Sequence, residues 1–169
     1  MTSGDPSHRS GPVRLLLMRH AKAAYPDNCS DHERPLAGRG RKDAAAAGAW
    51  LDSAGWVPDL IVCSDAARTV ETAELVASGL GADVPITPHP DLYEAGVGDV
   101  LKVVAETPKK VRTLLVVGHE PTMSATAGTV SGKFAHFPTS TVAQVELEGG
   151  FADIEPDSGR LVSVHTPKD

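Results

Sequence analysis

The chain has 169 residues, of which 41% are hydrophobic and 22% are charged, and its formal net charge at pH 7 is −6. This length favours one globular domain with a proper core, and the acidic balance argues against nucleic acid or an anionic membrane as the main partner. The two cysteines, Cys29 and Cys63, have neither the number of a disulfide framework nor the spacing of a structural zinc site.

The chain begins with a polar segment that is followed by an apolar one. Residues 1–12 lack the apolar core of a signal peptide, which predicts a disordered leader on a cytoplasmic protein and a single domain over residues 13–169. No apolar run approaches the ~20 residues that a membrane-spanning helix needs. Val13–Met18 is apolar enough for a buried strand, and Arg19 and His20 follow it directly.

Strand and helix patterns then alternate along the chain. Residues 25–36 are polar and rich in turn formers, so we expect a loop there, and a helix from Ala37 or Gly38 to Ala54 with Gly55 as its stop. Further strands are predicted over residues 60–63, 83–87, 113–117, 141–147 and 160–164, and further helices over residues 66–78, 99–106 and 121–130. Ser64 or Asp65 is the expected N-cap of the second helix. The alternation predicts a three-layer α/β/α sandwich with a mostly parallel central sheet.

Three of the predicted strands end in polar residues. Arg19 and His20 follow the first, Ser64 and then Arg68 follow the second, and His119 follows the strand over residues 113–117. Because the carboxyl ends of parallel strands meet at one edge of a sheet, where ligands of such folds bind, we expect these side chains to converge.

Two arginines and two histidines suit phosphoryl transfer. Arg19 and Arg68 can hold phosphate oxygens through charge-assisted forks, and a neutral His20 imidazole is a competent nucleophile towards phosphorus. His119 can donate a hydrogen bond as charge redistributes in the transition state. The arginines would supply the positive charge that a metal supplies elsewhere, so no metal and no cofactor are expected.

Five sequence blocks carry a family resemblance that spans Val13 to Val164. In chain order they read L-L-M-R-H-A-K, R-P-L-A-x-R-G, C-S-x-A-x-R-T-x-E-T-A, L-Y-E-A and L-L-V-V-G-H-E-P. They resemble the histidine phosphatase superfamily, whose fold is phosphoglycerate-mutase-like, and within it the small SixA-type phosphohistidine phosphatases. Ala21 stands where the family more often has glycine, which should only add a methyl group.

The resemblance implies a role for six residues. His20 matches the histidine that is phosphorylated, Glu94 lies in the block that supplies a general acid to some members, and the others match groups that bind phosphate. The catalytic set is Arg19, His20, Arg68, Glu94 and His119, and the phosphate-binding set is Arg19, Arg34, Arg68 and His119. Two alternatives stay open: Arg34 can instead pair with Asp31 or Glu33, and Glu94 can be an exposed structural glutamate.

The predicted function is a metal-independent phosphatase that forms phospho-His20 and releases inorganic phosphate. Because the chain has no long insertion that would build a deep lid, a phosphohistidine in a protein is the favoured substrate. Small phosphomonoesters are the alternative. Nucleic acid and membrane are not expected as partners.

Other functions fit the sequence less well. A mutase would need residues that retain a phosphorylated sugar acid, and none is evident in this sequence. The intact set of arginines and histidines argues against an inactive phosphate-binding module. A flavodoxin-like domain would need a Gly-rich loop after the first strand, which is absent.

Overall fold

A six-stranded sheet forms the centre of the computed structural model, which describes residues 12–167. The strands are β1 (Val13–Arg19), β2 (Leu60–Ser64), β3 (Ile86–His89), β4 (Thr113–Gly118), β5 (Val142–Leu147) and β6 (Gly159–His165). Their order is β3-β2-β4-β1-β5-β6, in which β3, β2, β4 and β1 are mutually parallel and β5 is antiparallel to both of its neighbours. The predicted leader, apart from the exposed Pro12, lies outside the described residues.

Four helices cover the sheet, two on each face. They are α1 (Gly38–Ala54), α2 (Ala67–Leu80), α3 (Val97–Ala105) and α4 (Thr122–Ser131). In β1, Leu15 and Leu17 belong to the cluster that includes α3 and α4, whereas Leu16 and Met18 belong to the cluster that includes α1 and α2. Alternate side chains of a central strand are thus buried on opposite faces, as in other parallel sheets. The three-layer α/β/α prediction is confirmed.

The helices α1 and α2 pack closely because glycines lie where they touch. A Cβ atom at Gly48 would lie 2.1 Å from the Val76 carbonyl oxygen, and one at Gly79 would lie 2.2 Å from the Ala45 carbonyl oxygen. Neither position has room for a side chain, so the two backbones can approach this closely only with glycine. The close contact fixes α2, whose first turn carries Arg68.

Several predicted boundaries match, and others need correction. The stop at Gly55 is confirmed, since its φ is 75° after the last residue of α1. β3 begins at Ile86 rather than at residue 83. α3 begins at Val97 rather than at residue 99, because the Asp99 side chain accepts the Gly96 N–H (2.9 Å) from inside the first turn.

The predicted N-cap of α2 at Ser64 or Asp65 is wrong. The residue in the N-cap position is Ala66, without a side-chain cap hydrogen bond. Ser64 is the last residue of β2, and its hydroxyl is hydrogen-bonded to His119, which directly follows β4.

Residues 12–167 contain no helix that is long and apolar enough to cross a membrane. Cys29 and Cys63 are both free thiols.

Candidate active site

Three parallel strands deliver the candidate residues to one edge of the sheet. Arg19 at the end of β1 pairs in register with Gly118 at the end of β4, and Cys63 of β2 pairs with Val117 of β4. Immediately beyond β1, the His20 N–H donates to the Gly118 carbonyl oxygen (3.0 Å). The predicted convergence of the strand ends is therefore present in the backbone itself.

His20 is buried and oriented by a backbone hydrogen bond. Its Nδ1 lies 2.7 Å from the Ala21 carbonyl oxygen, and because a carbonyl only accepts, Nδ1 carries the proton and Nε2 keeps its lone pair. Burial lowers the pKa of His20 to about 3, and the positive charges of Arg68 and Arg19 lower it as well. The imidazole is consequently neutral at pH 7, with Nε2 available as a nucleophile.

The two arginines next to His20 have buried donors that no protein group satisfies. Arg68 is 7% exposed and Arg19 is half-buried, and Nε of each is buried with no hydrogen-bond partner. Arg19 Nη1 donates to the Phe137 carbonyl (3.0 Å). Arg68 donates to Asp31 from Nη1 and Nη2. Leaving a buried cationic donor without a partner is costly, and an anion is the kind of group that would satisfy these two N–H groups. We call the group formed by Arg19, Arg68 and His20 the anion seat.

The ring of His119 lies against that of His20. The two ring centroids are 5.4 Å apart, and Nε2 of His119 lies 2.8 Å from the Ser64 hydroxyl. That hydroxyl also accepts the Ala66 N–H (3.2 Å), and it keeps a second lone pair and its own hydrogen, so it can either donate to His119 Nε2 or accept from it. Burial lowers the pKa of His119 to about 4, so its imidazole is neutral at pH 7 and carries one proton. In the tautomer with that proton on Nδ1, His119 can donate a hydrogen bond from Nδ1.

Helix α2 fixes the chain on both sides of the seat. The Thr72 hydroxyl accepts the Ala21 N–H (3.1 Å) and donates to the Arg68 carbonyl (2.7 Å). Glu71 accepts the Leu36 N–H (2.9 Å) and thereby anchors the end of the loop over residues 25–36. These contacts explain the second half of the R-T-x-E-T-A block, to which the sequence reasoning assigned no function.

Arg34 lies at the border of the seat with two of its nitrogens engaged elsewhere. Its Nε donates to the Ala24 carbonyl (3.0 Å), its Nη1 donates to Asp31 (3.0 Å), and its guanidinium lies 3.7 Å above the Tyr25 ring. The pairing with Asp31 is thus present, and phosphate binding by Arg34 stays a prediction.

Glu94 is exposed beside Tyr93, just after the 3-10 helix Pro90–Leu92 that follows β3. The hydrogen bond from Tyr93 to Asp31 raises the pKa of the Tyr93 phenol, and the nearby charge of Glu94 adds to this. Its role as a general acid stays a prediction.

The most connected residue of the site is one that sequence reasoning missed. Asp31 accepts from Arg68 Nη2 (3.1 Å), Arg34 Nη1 (3.0 Å) and the Tyr93 hydroxyl (2.6 Å), and its carbonyl accepts from Arg68 Nη1 (2.7 Å). Beside it, His32 Nε2 lies 2.9 Å from an Asp65 carboxylate oxygen. Only the spacing of Asp31 to Arg34 is visible in the sequence, because Arg68 and Tyr93 are far away along the chain.

One other potential nucleophile lies near these strand ends. Burial raises the pKa of the Cys63 thiol in β2 to about 12, so it is not a thiolate at pH 7. In the described part of the chain, no three His, Cys, Asp or Glu side chains are grouped so that they could hold a metal ion.

The lowered pKa of His20 predicts that stability falls in mild acid. Below pH 6.5 the unfolded chain takes up a proton on His20, whereas the folded protein does so only near pH 3, so the free energy of unfolding decreases as the pH falls between these values. This residue should account for about 2 kcal/mol of the loss between pH 7 and pH 5. Urea unfolding of wild type and His20→Asn at both pH values measures it. An equal loss in the two proteins would contradict the assignment of a buried, neutral His20.

Comparisons with known proteins agree over nearly the whole chain. The family model of the histidine phosphatase superfamily (branch 1) matches residues 15–117. An uncharacterized protein of Mycobacterium tuberculosis is 41% identical over 162 residues, which cover 89% of this chain and 100% of the relative. A solved SixA structure from Nakamurella multipartitia superposes with a TM-score of 0.84 at 34% identity, covering 95% of this chain and 99% of its own. The protein histidine phosphatase SixA complexed with tungstate has a TM-score of 0.79 at 25% identity, over 91% and 97% of the two chains.

Proposed function

Because the chain belongs to the histidine phosphatase superfamily, we propose that it is a phosphatase that works through phospho-His20 and removes phosphate from phosphohistidine in a protein. One observation carries this proposal. Two buried arginine Nε–H groups without partners border a neutral histidine whose Nε2 is free. The two arginine N–H groups suit the binding of a phosphoryl group, and His20 Nε2 suits attack on its phosphorus.

The reaction would proceed in two displacements. In the first, Nε2 of His20 forms a bond to phosphorus while the bond from phosphorus to the leaving atom breaks, and the leaving group departs with that electron pair. Arg19 and Arg68 would neutralise the phosphoryl oxygens, and His119 would donate to one of them from Nδ1. In the second, water attacks phosphorus, the bond to Nε2 breaks, and inorganic phosphate leaves a regenerated His20.

The choice of phosphohistidine as substrate has two supports. The first is the likeness to SixA proteins, one of which is a protein histidine phosphatase that binds tungstate, a tetrahedral oxyanion like phosphate. The second is chemical, because a phosphohistidine ring that is protonated on its other nitrogen leaves as neutral imidazole, whose conjugate acid has a pKa of about 6.5, whereas an alkoxide needs a proton donor at the leaving oxygen. A site whose candidate acid, Glu94, is exposed suits the easier leaving group better.

Phosphate release in the presence of a chelator tests the proposal. The purified protein should hydrolyse both a phosphohistidine protein and p-nitrophenyl phosphate without added metal, with the higher kcat/KM on the phosphohistidine protein. The reverse order would favour the small-phosphomonoester alternative. No release from either substrate would overturn the proposed activity.

Replacing Glu94 separates the two substrate classes. In Glu94→Gln we expect kcat/KM on an alkyl phosphate to fall about 10²-fold, the usual scale for a lost general acid, while hydrolysis of phosphohistidine changes less than about threefold. Asp91→Asn, an exposed neighbour of the same charge, is the matched control. Equal losses on the two substrates would contradict the leaving-group argument.

A further inference from the structure

The Ser64 hydroxyl is a buried group with two polar partners. Ser64 is the last residue of β2, and its exposure is 0%. Its Oγ accepts the Ala66 N–H (3.2 Å) and lies 2.8 Å from Nε2 of His119. Among residues 12–167 no other group bonds to this oxygen. Its hydrogen and its lone pairs must therefore be satisfied by these two partners.

Full burial decides the direction of the hydrogen bond between Ser64 and His119. The Ala66 N–H can only donate, so it uses a lone pair of the hydroxyl. If His119 Nε2 carried the proton, the hydroxyl would accept from both partners, and its own hydrogen would be buried without an acceptor, which is costly. If Nε2 instead keeps its lone pair, the hydroxyl accepts from Ala66 and donates to His119. Every group is then satisfied, so the second arrangement is favoured.

Both partners of this hydrogen bond are held in place. The Thr69 hydroxyl, in the first turn of α2, lies 2.7 Å from the Ser64 carbonyl oxygen and can donate to it. The His119 ring packs edge-on against two other rings, since its centroid lies 5.4 Å from that of His20 and 5.7 Å from that of Tyr93. An anchored serine and a confined ring keep Nε2 of His119 on the hydroxyl.

Nδ1 is the nitrogen of His119 that is left for a ligand. It has no hydrogen-bond partner among residues 12–167, and it is not one of the fully buried polar atoms of that range. A neutral imidazole has one N–H, so the position of that proton decides whether Nδ1 offers a donor or a lone pair. A donor attracts the oxygens of a phosphoryl group, whereas a lone pair repels them. Because His119 packs against His20, this difference matters for a phosphoryl group that His20 attacks.

We propose that Ser64 is a positioning residue that keeps the proton of the neutral His119 ring on Nδ1, so that His119 presents a donor to the phosphoryl group. Ser64 acts only through His119 and does not itself contact the reacting atoms. The effect on catalysis rests on the proposed function, whereas the position of the proton is a property of the free protein. The two can therefore be tested separately.

NMR of the free protein measures the position of the proton. Long-range nitrogen–proton spectra of the full-length chain distinguish protonated from unprotonated ring nitrogens, and His119→Ala identifies the signals of this ring by their loss. At pH 7 the wild type should have Nδ1 protonated and Nε2 unprotonated. In Ser64→Ala, Nε2 loses its donor, so this single form should give way to a mixture of the two tautomers. A wild-type His119 with its proton on Nε2, or an unchanged form in Ser64→Ala, would overturn the proposal.

Activities of Ser64 variants test the effect on catalysis. Ser64→Ala should lower kcat/KM on p-nitrophenyl phosphate about tenfold, less than the loss of about 10²-fold or more expected when a donor is removed outright. Ser64→Thr keeps the hydroxyl and should retain most of the activity. The matched control is Thr126→Val, which removes the hydroxyl of a buried threonine in α4 that donates to the Thr122 carbonyl (2.7 Å). It should stay within about twofold of wild type.

A double-mutant cycle separates positioning of His119 from a general loss of structure. Because Ser64 acts only through His119, Ser64→Ala should have no further effect on kcat/KM in the His119→Ala background. A further tenfold loss there would overturn the proposal and leave the proposed function standing. A wild type that hydrolyses neither this ester nor a phosphohistidine protein would overturn the proposed function, and the NMR spectra would still decide where His119 carries its proton.

Discussion

His20→Ala should show no measurable turnover, with kcat/KM reduced at least about 10³-fold on every phosphorylated substrate. The reason is that Nε2 of this residue is the only atom to which the two-step route transfers the phosphoryl group. The remaining arginines can still bind an oxyanion, so tungstate should continue to inhibit or bind. The measurement is phosphate release at pH 7 in chelator, with circular dichroism to show that the variant is folded.

A matched histidine variant completes that experiment. His136→Ala removes an imidazole that is exposed, on the loop before β5, and should keep kcat/KM within about twofold of wild type, as surface substitutions usually do. If a folded His20→Ala keeps the wild-type rate, the nucleophile has been assigned to the wrong residue.

Arg68→Lys should be the second most damaging of these changes, with a loss of about 10²-fold to 10³-fold in kcat/KM. One ammonium group cannot both bond to Asp31 and present a fixed donor to the anion seat, as the two edges of Arg68 do. The charge is retained, so the loss would reflect geometry. Inhibition by tungstate should weaken as well, because the lost donor also binds the unreacted oxyanion.

The control for Arg68→Lys is the same substitution on a surface ion pair. Arg160 is exposed on β6 and pairs with Glu146 on β5, so Arg160→Lys should change kcat/KM less than twofold. Equal effects of the two substitutions on kcat/KM would show that the geometry of the Arg68 guanidinium is not needed for catalysis.

The elements that the sequence predicts well are those that burial defines. Residues 15–18 and 114–117 are continuous apolar runs because both faces of their strands are covered, and they lie in β1 and β4 nearly as predicted. The convergence of His20 and His119 follows from the parallel pairing of those two strands. A residue that directly follows a strand therefore has a predictable place.

The contacts of the 25–36 loop could not be predicted in the same way. Asp31 meets Arg68 and Tyr93 across long sequence separations, and exposed polar residues leave no periodic pattern that would reveal such contacts. Ser64 was expected to cap a helix, as serine often does before one, but its buried hydroxyl serves His119. Where a polar side chain has two plausible partners, only the packing of the neighbouring elements decides between them.

If the phosphoryl group passes through Nε2 of His20, a single-turnover experiment will detect it on that atom. Enzyme in excess over a phosphohistidine protein would be quenched in alkali, where phosphohistidine survives, and the modified peptide located by mass spectrometry. We expect a phosphoryl group on His20 that forms as the substrate is consumed and decays as inorganic phosphate appears. Phosphate that appears without any labelling of His20, or a phosphoryl group on a different residue, would contradict it.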